Sequence, residues 1–221
     1  MWYPVLQNFL LCWCLYYVSW WNVHDVFPLG PRSKECPVAV ASRWVSLIYT
    51  TGLAAFTSYV LWYGYNPILP LFAAAGYFLW DMVLCVVYRG SFKDDVLFHA
   101  VICGIGYLLV LHYNYMLYES AVLLLFEWST PILNIGLLAK TYRYGLTTIA
   151  CYTLFSIIFF LVRVVFGTVY IFYYVLPHAW LLRTQYPWGM TLWTLCSVTA
   201  AACLNICWAY KLFQSSPLRK R

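Results

Sequence analysis

The stretch FEWSTPILN, Phe126 to Asn134, puts a glutamate, a proline and an asparagine inside a run that is otherwise Leu, Ile, Val and Ala. Glu127, Thr130 and Asn134 recur at i, i+3, i+7, so on a helix they form one polar stripe. Three more ionisable residues interrupt comparably apolar runs: Asp81 in GYFLWDMVL, His99 in FHAVICGIGY and Arg163 in FFLVRV. A histidine at such a place can act as nucleophile or base towards a lipid head group, or simply bond a neighbouring helix. Asp81 can orient it from an adjacent antiparallel helix. Glu127 offers a second carboxylate, and Arg163 a partner for it. His99, Asp81 and Glu127 are therefore the candidate catalytic set. Thr130, Asn134, Arg163 and Asn205 are the candidate contacts for a bound molecule, and Arg43 and Lys93 the cations available at its point of entry.

What positions these residues follows from composition. The chain has 221 residues, 64% hydrophobic and only 9% charged, against about a quarter charged in globular domains. Seven apolar runs approach or exceed the ~20 residues that cross a bilayer as a helix. They cover residues 4–21, 38–63, 68–88, 96–112, 115–139, 146–175 and 190–212. No segment alternates polar and apolar residues as a membrane barrel must. The expected fold is thus all-α: a polytopic bundle of six helices plus an N-terminal one. VLQNFLLCWCLYYVSWW is short and heavily aromatic, and reads either as a span or as an interfacial helix. It lacks the basic flank and small-residue cleavage site of a removable signal.

The net charge of +6 is explained by its distribution. Alternating the seven spans leaves Arg32, Lys34, Arg43, Arg89, Lys93, Lys140, Arg143, Lys211, Arg219, Lys220 and Arg221 on one side, and Arg183 alone on the other. This positive-inside bias predicts a cytosolic C-terminus and gives no support to a nucleic-acid partner. The domain reading is an N-terminal helix and cytosolic loop over 1–37, a membrane domain over 38–213, and a basic tail over 214–221. Most of the nine cysteines fall within spans, with no His or Cys placed to complete a zinc set, so no metal site is expected.

Depths at ~1.5 Å per residue put His99 ~5 Å, Asp81 ~10 Å, and Asn134 and Asn205 ~8–10 Å from the cytosolic ends. Glu127 falls at ~18 Å and Arg163 at ~22–25 Å, compatible with an ion pair. Pro131 has no N–H for the carbonyl of Glu127, and a backbone group freed in this way is tolerated in a membrane only against protein or water. The polar stripe must face inwards, where it either glues helices or lines a cavity. Asp94 and Asp95 are expected to be solvated, at the start of the fourth span.

GYFLWD (76–81), DDVLFHA (94–100), FEWSTPILN (126–134), FFLVRV (159–164) and LNICW (204–208), with ASRWVS (41–46) opening the second span, resemble the TLC domain in order and spacing. That family includes ceramide synthases, translocating-chain-associated membrane proteins and small lipid-linked proteins. The resemblance covers roughly residues 38–212 and is greatest to the small TLC-domain proteins. It implies a lipid-handling protein, with membrane lipids, acyl chains or sphingolipid-like molecules as partners; the Lys/Arg tail is compatible with retention in the endoplasmic reticulum. Synthases carry two adjacent histidines where this chain has His99-Ala100, and two aspartates three apart where it has Glu127 and Thr130. The leading expectation is therefore a protein that holds a lipid in an intramembrane cavity and acts in lipid homeostasis, without a cofactor. The alternative is an N-acyltransferase that uses acyl-CoA as substrate through His99. A seven-helix receptor is the third reading.

Overall fold

The computed structural model describes residues 2–23 and 36–215, and every regular element among them is helical. Seven long helices follow one another: α1 Tyr3–Trp21, α2 Pro37–Trp62, α3 Ile68–Val87, α4 Asp94–Tyr113, α5 Leu117–Thr141, α6 Gly145–Thr184 and α7 Trp188–Ser215. Six of them, α2 to α7, are long and apolar enough to cross a membrane. The loop residues 24–35 and the tail from 216, with Arg32, Lys34, Arg219, Lys220 and Arg221, lie outside the described residues.

The helices form a closed cycle in which α1 packs on α3, α3 on α4, α4 on α7, α7 on α6, α6 on α5, α5 on α2, and α2 on α1. Small residues permit the tightest of these approaches. A Cβ on Gly76 of α3 would lie 2.5 Å from Asn8 Cβ and 2.7 Å from the Val5 carbonyl of α1. Gly104 of α4 rests against the backbone of Phe78 and Leu79 with more room, 3.5 Å or more.

Helix α1 spans the height of the bundle. Trp2 stacks on His112 at the far end of α4, with centroids 6.1 Å apart, and Tyr16 lies 6.5 Å from Tyr88 at the opposite end of α3. Nineteen residues give ~28 Å of helix, close to the ~30 Å of a hydrocarbon core. Its low hydropathy is compensated by burial of one stripe, Val5, Cys12, Tyr16 and Ser19, and by a hydrogen bond between Asn8 and Tyr49 of α2.

Two helices depart from the sequence reading. The sixth was expected to end at 175, followed by a loop, but α6 continues to Thr184. Its turns are π-helical over Phe160–Phe166 and Ile171–Val175. Widening the helix just before Pro177 relieves the contact between its ring and the preceding turn, so the proline does not end the helix. Helix α5 tightens into a 3-10 segment, Leu124–Trp128, ahead of Pro131. The 3-10 stretch carries Glu127, and the first π-helical stretch carries Arg163.

Candidate functional site

Between α4, α5, α6 and α7 lies an elongated cavity with about 120 Å3 of room for water centres, and about 950 Å3 only when all the space around it that opens to the outside is counted. Along α7 its lining runs from Asn205 to Met190, ~22 Å at 1.5 Å per residue. His99, Asn205, Glu127 and Arg163 line one part, nearer the basic ends of the helices; Val110, Leu123, Ile171, Val175 and Met190 line the other.

The 3-10 segment of α5 and the π segment of α6 meet at Arg163, which is 6% exposed. Arg163 Nη2 donates to Glu127 Oε1 at 3.1 Å and to Thr130 Oγ1 at 3.1 Å, and Nε donates to the Phe126 carbonyl and to Ser129 Oγ, both at 3.0 Å. Thr130 in turn donates to Glu127 Oε2 at 2.8 Å. The carbonyl that Arg163 takes is thus Phe126's, one residue before the one expected from Pro131. Gly167 makes room for this: a Cβ there would sit 2.6 Å from the Phe126 ring. The paired charges are neutralised within the bundle, as intramembrane charges must be. Arg163 lines the cavity, and its Nη1 makes no hydrogen bond.

His99 sits edge-on between two rings, Phe78 at 5.7 Å and Trp208 at 5.6 Å. Its ring nitrogens meet only the Cys103 thiol, at 3.7 and 3.9 Å, a weak donor. Asn205 is 4% exposed, lines the cavity and makes no hydrogen bond. Beyond His99, at the basic end, α4 and α7 are linked. Trp208 Nε1 and Lys211 Nζ both donate to Asp95 Oδ2 at 3.0 Å. Asp95 is therefore a helix–helix link, not the solvated residue its position at the start of α4 suggested. No spacing rule shows this, because α7 lies more than a hundred residues away in the chain.

The remaining candidates lie elsewhere. Asn134 belongs to a seam on the other side of α5, where its Nδ2 donates to Ser46 Oγ at 2.9 Å, which also bonds Tyr77 Oη at 2.9 Å. So the stripe Glu127, Thr130, Asn134 does both things open to it: Glu127 lines the cavity, Thr130 stays outside the lining and braces Glu127 and Arg163, and Asn134 glues α5 to α2 and α3. Asp81 makes no hydrogen bond to His99 and does not line the cavity. It shares a helix face with Tyr77 and Cys85 at i±4, and that face is turned towards Cys12 of α1. Arg43 donates to Thr141 Oγ1 at 3.3 Å, on the α2–α5 side, away from the cavity lining. Lys93 is exposed at the start of α4, six residues, or ~9 Å, before His99.

Sequence reasoning missed the opposite end of the cavity. There Glu119 Oε1 and His178 Nδ1 pair at 2.6 Å between α5 and the extension of α6. Tyr115 and Thr191 are buried beside the same end with unbonded hydroxyls. Glu119 and His178 stood at expected helix ends, where charge needs no explanation, so no signal marked them.

No curated protein and no solved structure matches the chain. A family model, that of the TLC domain, matches residues 2–214. The match begins with α1 and takes in all seven helices, and the buried pair, the unspent histidine and the cavity between them lie within it. The chain is an integral membrane protein and belongs to the TLC domain family.

Proposed function

We propose that this protein holds the hydrocarbon chain of a membrane lipid in the cavity between α4, α5, α6 and α7, and acts in membrane lipid homeostasis. The observation that carries this is the cavity itself: long, apolar over much of its wall between the ends, with His99, Glu127, Arg163 and Asn205 at one end and Glu119 at the other. Such a shape fits an amphiphile better than a fully polar solute. The basic end faces the cytosol in this reading, by the positive-inside bias, and the endoplasmic reticulum is the proposed membrane. A photoreactive fatty acid tests it. Cross-links mapped by peptide mass spectrometry should fall near Ile102, Val110 and Val198, and a Val198→Trp variant should lose them. Labelling confined to outward residues such as Leu161 and Ile157, unchanged in Val198→Trp, contradicts it.

One observation favours a second reading, acyl transfer from acyl-CoA to a long-chain base. His99 lines the cavity with both ring nitrogens uncommitted apart from the Cys103 contact. Against it, neither carboxylate orients the imidazole: Glu127 is held by Arg163 and Thr130, and Asp81 lies outside the cavity. Turnover of acyl-CoA by purified protein, compared with His99→Ala, tests this reading. Equal rates remove His99 from any such chemistry.

A further inference from the structure

The groups facing the cavity limit the charge of its occupant. Glu127 and Arg163 are both more than nine-tenths buried and neutralise one another, so the pair has no net charge left to offer. Besides the His99 ring nitrogens, two polar groups in the same part of the lining remain unspent. The Asn205 carboxamide carries both donor and acceptor and is bonded to nothing. Arg163 Nη1 is a donor whose sister nitrogens are all engaged. A buried amide left unpaired is destabilising until a partner supplies what water would have supplied. An ionised head group, by contrast, would bring into this apolar enclosure a charge with no free counter-charge, and desolvation would outweigh what its hydrogen bonds return.

We infer that the occupant is a single-chain amphiphile with an uncharged head group that both donates and accepts hydrogen bonds, an amide or a hydroxyl. Its head group bonds the Asn205 carboxamide and Arg163 Nη1, and its chain runs along the cavity towards Met190. This rests on the lipid-holding reading and narrows it to one class of head group.

The test is a competition read by native mass spectrometry on the full chain in detergent. Five probes share a sixteen-carbon chain: hexadecanamide, hexadecan-1-ol, hexadecanoate, hexadecyl phosphate and hexadecylammonium. The amide and alcohol should be retained about tenfold or more over the charged probes, the ratio that ~1.4 kcal/mol produces. Asn205→Asp adds an unpaired carboxylate at the head-group level, and should shift the preference to hexadecylammonium. That gain is one an unfolded variant could not show. Retention of a charged probe as strongly as the amide by the natural chain overturns the inference alone, as does an unaltered preference in Asn205→Asp. Retention of none of the five overturns the lipid-holding reading and this inference with it.

Discussion

Replacing Glu127 with alanine removes the carboxylate and leaves the Arg163 guanidinium 6% exposed in the bundle interior. The three remaining acceptors, the Phe126 carbonyl, Ser129 Oγ and Thr130 Oγ1, satisfy hydrogen bonds without cancelling the charge. Breaking a buried pair from one side costs ~3–5 kcal/mol, most of it the uncompensated ion. At about 2–4 °C per kcal/mol for a chain of this size, thermal unfolding in detergent should shift down by roughly 6–20 °C. Glu127→Gln, which keeps an acceptor, should fall less. The Glu127→Leu/Arg163→Met double variant removes both ions, and should unfold well above the sum of its two single variants. An unfolding midpoint for Glu127→Ala within about 2 °C of the natural chain would refute the claim that this pair neutralises an otherwise isolated charge.

Three further outcomes follow from the packing. Gly76→Ala drives a Cβ into Asn8 and Val5 and should destabilise by ~1–3 kcal/mol and expose α1 to protease, while Gly104→Ala, with 3.5 Å of clearance, should not; equal effects from both contradict the seating of α1. Trp208→Phe removes the bond to Asp95 above His99, and should speed alkylation of Cys103 by a water-soluble maleimide, read at that peptide by mass spectrometry. An unchanged rate would show that this link does not close the basic end. Asn134→Leu loses its bond to Ser46, costing about 1 kcal/mol, yet should leave fatty-acid cross-linking in the cavity intact. Loss of cross-linking without loss of fold would move Asn134 into the site.

The spans were legible because hydrophobic length is a strong signal: the starts of all seven helices, at Tyr3, Pro37, Ile68, Asp94, Leu117, Gly145 and Trp188, lie within two residues of those expected. The end of α6 was not, because Pro177 and the charges beyond it read as a loop, and π-helical turns leave no pattern in composition. Within the site, intramembrane cost alone matched Glu127 with Arg163 and brought His99 and Asn205 towards one interior. That same cost could not say which interior. Asp81, Asn134 and Arg43 are as deep or as polar as the cavity residues, but helix rotation sends them to the seam and to the α1 side. Rotation about a helix axis is set by packing partners, and Gly76 and Gly167 reveal theirs only once the neighbouring residues are in place.

The central claim is occupancy of the cavity by a lipid chain. Native mass spectrometry of the protein taken from its own membrane, with and without Val198→Trp, measures it directly. The account predicts one tightly retained lipid per chain in the natural protein and none in the variant. The same adducts in both, or no retained lipid in either, would contradict it.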